Sequence, residues 1–76
     1  MQILLFASWG DALGASLSLD LPAGCTVKEL VDTLRERVPH RELPQPMVAV
    51  NQRYAKWDQV ILPDDEVAII PPVAGG

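Results

Sequence analysis

The residues of this chain whose types and order could do chemistry are the last six, Pro71-Pro72-Val73-Ala74-Gly75-Gly76. Glycine loses more backbone entropy on ordering than any other residue, so a terminal pair adds nothing to folding and invites a functional explanation. Without β-carbons, Gly75 and Gly76 could pass through a slot too narrow for other residues and present the carboxylate of Gly76 as the reacting group. Pro71 and Pro72 hold φ near the polyproline value and offer no N–H. The apolar run Val67-Ala68-Ile69-Ile70 therefore cannot continue past them as a central paired strand, and the tail must leave the sheet there. Fully extended, the residues after Pro71 would reach roughly 15–18 Å, enough to enter a partner's cleft while the domain stays outside. The plain alternative is a loose end, since termini fray.

Little else in the sequence could react. Cys25 is the only cysteine, which excludes an internal disulfide and a thiol cluster for zinc. It stands just ahead of a predicted helix, where the helix dipole could lower its pKa, but a lone cysteine in such a place is more often an inert packing residue. His40 is also alone and has no companion at ligand spacing, so no metal site is expected. No nucleophile–base pair is evident, and the chain is expected to bind no cofactor itself.

Seventy-six residues make one domain with a thin core, burying about 60% of the surface an unfolded chain exposes. With 49% hydrophobic and 21% charged residues, the composition is that of a folded protein. Ten acids against six bases give a net charge of −4, which argues against nucleic acid, whose binders need basic patches to release counterions. No apolar run approaches the length of a membrane span, and no basic N-terminal region precedes an apolar one. The expectation is a cytoplasmic protein with no membrane partner.

The elements that must position the tail follow from periodicity. Gln2 to Ala7 is a short apolar run that reads as a strand buried on both faces, ended by turn residues between Gly10 and Gly14, with a hairpin expected. Ser16 to Leu21 alternates, placing Leu17, Leu19 and Leu21 on one face of a half-buried antiparallel strand. Thr26 and Glu29 form a capping-box pattern, and Val27, Leu30, Val31, Leu34 and Val38 follow at helical spacing until Pro39 stops the run. Met47 to Val50 reads as a strand, Asn51-Gln52 as a turn that uses asparagine's tolerance of left-handed backbone, and Arg53 to Ala55 as a short return strand. Pro63-Asp64-Asp65 is a second turn before a last strand, Glu66 to Ile70. One amphipathic helix packed across a mixed sheet is the layer arrangement this order permits, an α+β fold that matches the β-grasp. The division is a domain over residues 1–71 and an extended tail over residues 72–76.

Two segments, Val-Ala-Val-Asn-Gln-Arg-Tyr-Ala (48–55) and Asp-Glu-Val-Ala-Ile-Ile-Pro-Pro-Val-Ala-Gly-Gly (65–76), resemble the MoaD family of ubiquitin-like sulfur carriers, the small subunits of molybdopterin synthase. Leu5-Phe6-Ala7, closed by Gly14, is similar to that family's first hairpin. The most specific part of the resemblance is the Pro-Pro-Val-Ala-Gly-Gly ending. Carriers for thiamin, cysteine or tRNA sulfur chemistry share the fold and the Gly-Gly, and the double proline favours the molybdopterin branch. Two positions depart from the pattern: members often carry a basic residue where Gly10 stands and usually a glycine where Asp64 stands.

The resemblance implies that an ATP-using, E1-like adenylyltransferase activates the carboxylate of Gly76, that a persulfide donor supplies sulfur, and that the resulting thiocarboxylate serves a large subunit. There it would donate sulfur to a pyranopterin precursor to form the dithiolene of molybdopterin. The chain would be a co-substrate subunit with no catalytic base of its own. The alternatives are a carrier for another sulfur pathway or a protein modifier joined through Gly76 to lysines. For the partner-binding surface, Phe6, Trp9, Val60 and Leu62 are the candidates, since one side of a small sheet must face something. The competing reading places most of them in the core, and Phe6 in particular. Trp57 is either an interface aromatic or a cover over the core's edge, and Asp64, Asp65 and Glu66 either steer a basic partner or form a solvated turn.

Overall fold

The computed structural model describes residues 1–72. Along the chain run β1 (Gln2–Leu5), α1 (Ala7–Leu13), β2 (Ser16–Ser18), α2 (Val27–Arg37), β3 (Met47–Val50), β4 (Arg53–Tyr54) and β5 (Val67–Ile70). The five strands form one sheet in the order β2-β1-β5-β3-β4. The central pair, β1 and β5, is parallel, and the other pairings are antiparallel. This is the expected β-grasp, with a second, shorter helix that the sequence reading lacked.

Sequence alternation decides which sheet face is buried. Ile3 and Leu5 of β1, Val48 and Val50 of β3, and Val67 and Ile69 of β5 turn toward α2 and join one cluster with Val27, Leu30, Val31 and Leu34. The helix begins at the expected cap. The Thr26 hydroxyl accepts from the Glu29 N–H at 3.3 Å, and the Glu29 carboxylate accepts from the Thr26 N–H at 3.3 Å, so two of the helix's free N–H groups are satisfied. Asn51 and Gln52 take φ of 53° and 68°, the left-handed pair that a two-residue hairpin between β3 and β4 requires.

The first connection differs from expectation. Residues 7–13 form a helix between β1 and β2, where a hairpin turn was expected from the two glycines. Gly10 serves packing: a β-carbon there would lie 2.8 Å from the carbonyl oxygen of Leu5, so only glycine lets α1 sit this close to the end of β1. Gly14, at φ 95°, ends the helix by donating its N–H to the Gly10 carbonyl at 2.7 Å. Ala7 enters α1 at φ 52°, a left-handed value that costs an alanine about 1–2 kcal/mol.

That short helix carries Trp9 into the core, where it is 0% exposed. The Trp9 indole N–H donates to the Pro44 carbonyl at 3.0 Å, and the Arg35 guanidinium lies 5.1 Å from the Trp9 ring while donating to the Leu43 carbonyl at 2.9 Å. Two side chains thus fasten the proline-bearing connection between α2 and β3. The 62–65 turn is held by its own polar groups. Asp65 accepts from the Leu62 N–H at 2.8 Å and from the Asn51 side-chain amide at 2.9 Å, and Asn51 in turn accepts from the Glu66 N–H at 2.9 Å. Asp64 does not take positive φ, so an aspartate at this position costs no strain.

Candidate docking face and chain exit

The parallel pairing of β1 with β5 places the end of the last strand beside the end of the first. Ile69 accepts a hydrogen bond from the Phe6 N–H at 3.1 Å, and Ile70 pairs with Met47 across β3. Pro71 and Pro72 follow at once and provide no N–H to extend either ladder. The chain therefore leaves the sheet next to Phe6 and α1. The expected threading residues Val73, Ala74 and Gly75, and Gly76, expected to carry the reacting carboxylate, lie outside the described residues; of the other two expected threading residues, Pro71 is half-buried and Pro72 exposed.

The sheet face opposite α2 begins at this exit. Strand register aligns Leu4 with Ala68, Ala68 with Ala49, and Ala49 with Tyr54, a row that crosses β1, β5, β3 and β4. Phe6 and Ile70 continue the same face toward the exit. Together with Gln52 and Glu66 these side chains line a hollow of about 390 Å³ with two alanines at its floor. No helix of the described residues covers it. α2 is committed to the other side, while Phe6 remains 48% and Tyr54 63% exposed. An apolar hollow of this kind, beside the point where the chain leaves the sheet, is a surface on which a partner can dock.

The four candidate partner residues separate here. Phe6 lies on this face, and the reading that favoured the core for it is corrected: it follows Leu5 in the alternation and turns away from α2. Trp9 is withdrawn from the binding surface, because α1 carries it under the fold and its indole N–H is already satisfied. Val60 and Leu62 are exposed, but elsewhere. Val60 bridges Thr26 at the start of α2, and Leu62 lines a different hollow with Met1, Leu21 and Pro63. What the sequence reading missed is Leu4, Tyr54, Ala68 and Ile70. Treating Gln2–Ala7 as buried on both faces hid the alternation that puts Leu4 and Phe6 on the open face. One amphipathic helix can cover only one side of a sheet, and that was the available signal.

Cys25 is buried, and its thiol pKa is raised, first by burial and then by the nearby Glu29 carboxylate. The position just before α2 therefore does not activate it: loss of solvent and the neighbouring carboxylate both favour the protonated thiol. Its Sγ lies 3.5 Å from the Thr26 carbonyl, a weak contact that suits a protonated thiol. Trp57 is partly exposed beside α2, in a hollow with Lys28, Val31 and Arg35, and does not line the hollow on the sheet's open face. Among the described residues no helix is long and apolar enough to cross a membrane.

Comparison with known proteins agrees with this geometry. Residues 3–76 match the ThiS family. The chain is 41% identical over 81 residues to a molybdopterin synthase sulfur carrier subunit of Dictyostelium discoideum, covering 99% of this chain and 94% of that protein. Among solved structures it is similar to a putative molybdopterin converting factor, subunit 1, from Pyrococcus furiosus, with a TM-score of 0.81 and 26% identity over 95% of each chain. It is also similar to small archaeal modifier protein 1 of Haloferax volcanii, with a TM-score of 0.77 and 25% identity over 95% of each chain. The chain belongs to the ThiS family, within the ubiquitin-like MoaD/ThiS sulfur carriers.

Proposed function

We propose that this chain is the sulfur carrier subunit of a molybdopterin synthase, with the carboxylate of Gly76 as the sulfur-bearing group. The observation that carries the reading is the exit: Pro71 and Pro72, which precede the Gly-Gly ending in sequence, follow β5 at the edge of its uncovered apolar face. An α-carboxylate is an anion at neutral pH and a poor electrophile, so it needs activation. An E1-like enzyme uses ATP to adenylate it, releasing pyrophosphate. A persulfide sulfur then attacks the acyl carbon and displaces AMP, and a thiol reduces the remaining sulfur–sulfur bond to leave the thiocarboxylate. The chain's own part is to dock through Leu4, Phe6, Ala68 and Ile70 and to hold the tail in its partner's cleft. A closed cleft excludes water from the acyl adenylate, and docking makes the sulfur's encounter with the pyranopterin precursor local.

The test uses purified full-length chain with an E1-like adenylyltransferase, ATP and a persulfide donor, followed by a molybdopterin synthase large subunit and precursor. ATP-dependent pyrophosphate exchange, a thiocarboxylate seen by intact mass, and molybdopterin formation are the expected results. Absence of exchange would sink carriage altogether. The likeness to a small archaeal modifier favours a second reading, a protein modifier joined through Gly76. Exchange followed by lysine conjugates, with no molybdopterin, would establish that reading instead.

A further inference from the structure

We infer that the hollow on the open sheet face is a socket for one arginine side chain of the docking partner, with Glu66 as its counter-charge. The inference rests on the proposed function, and it names what the partner must bring.

The shape comes from the sequence of the sheet. Ala49 and Ala68 are cross-strand partners at the floor, Leu4 and Phe6 stand on the β1 side, and Tyr54 stands on the β4 side. On a face pressed against a partner, a hollow of about 390 Å³ left unfilled would cost its lining the dispersion contacts that packing supplies. A side chain of the partner must therefore enter it.

The chemistry of the two ends selects the occupant. Ile70 closes the end nearest the chain exit, while Glu66 and Gln52 also line the hollow. Among the described residues the Glu66 carboxylate has no ion-pair or hydrogen-bond partner, and only its backbone groups bond to Asn51. A wholly apolar occupant would strip water from that carboxylate and give nothing back. A lysine would supply the charge as a compact, strongly hydrated ammonium. Arginine supplies more: its methylenes cover the alanine floor, its fork matches a carboxylate, and its planar face stacks on the exposed Tyr54 ring. Since Ile70 is both a wall of the socket and the last residue of β5, the same side chain fixes where the tail begins.

Two titrations test this. In the first, wild-type chain, Glu66→Gln and Ala68→Leu are titrated calorimetrically with the molybdopterin synthase large subunit, and unfolding curves confirm that both variants fold. Each substitution should weaken binding by about tenfold or more, and the Glu66→Gln difference should shrink near 1 M salt. Weakening by Ala68→Leu alone would mean an apolar occupant and would overturn the arginine assignment, as would no effect of either.

In the second, N-acetylarginine amide is added to the isolated chain and followed by NMR. Shifts at Glu66, Ala68 and Tyr54 that Glu66→Gln abolishes, and that N-acetylnorleucine amide does not produce, support the socket; their absence overturns it. If the large subunit fails to bind wild-type chain while the arginine probe still finds the socket, the synthase reading fails and the socket stands.

Discussion

Single atoms decide two features that composition hides. At Gly10 the missing β-carbon is a packing requirement, since the Leu5 carbonyl oxygen occupies that space. Gly10→Ala should therefore destabilise the domain by about 1–3 kcal/mol in denaturant unfolding, even though alanine is the better helix former. An unchanged midpoint would show that α1 can lift off β1 freely. At Cys25 burial, with the nearby Glu29 carboxylate, raises the thiol pKa above its ordinary value. The folded state then resists ionisation more than the unfolded chain does. The associated stability is fully present below the unfolded thiol's pKa and is lost as pH rises through the folded one. Unfolding midpoints followed from neutral pH into the alkaline range should fall less steeply for Cys25→Ala than for the parent. Native-state alkylation at neutral pH should also be slow.

At the scale of elements, α2 was legible because its signals are local. Thr26 and Glu29 lie three residues apart, and the apolar stripe repeats every turn, so cap and face are both written within eleven residues. Truncating Leu34, fully buried on that stripe, should cost about 2–5 kcal/mol, enough to threaten so small a domain. Removing the cap with Thr26→Ala should cost only about 1 kcal/mol. Equilibrium unfolding of both variants checks the ranking, and a reversed order would mean that the helix depends more on its cap than on its buried face. α1 was not legible for a matching reason. Its seven residues contain two polar side chains, one glycine and a single fully buried residue, Trp9, too short a stretch for a helical period to outvote a glycine-bounded turn.

For the whole molecule, folding and the terminus are expected to separate. Among the described residues the core cluster runs from Ile3 to Ile69, and deleting Gly75 and Gly76 touches none of these residues. The truncated chain should unfold within about 0.5 kcal/mol of the parent while losing adenylation completely. Gly76→Val probes the same terminus more finely. Large-subunit binding, proposed to use the sheet face, should persist in a titration, while thiocarboxylation collapses because a branched β-carbon widens the chain where clearance is least. A valine variant that loads sulfur at the parent's rate would remove the threading argument.

The sequence by itself determined the helix with its cap, the Asn51-Gln52 hairpin, the strand order along the chain and the Pro-Pro-Val-Ala-Gly-Gly ending, because each depends on residues close together. Only the tertiary structure decided which apolar residues stay uncovered. Phe6 and Trp9 stand three positions apart and look equivalent in composition, yet a left-handed turn at Ala7 and a seven-residue helix leave one on the open sheet face and bury the other. The hollow needs β1, β5, β3 and β4 in register, with Leu4, Ala68, Ala49 and Tyr54 brought into one row from distant parts of the chain. Periodicity along one segment reports whether a residue alternates; which side of a sheet its helix will cover depends on how the segments pack.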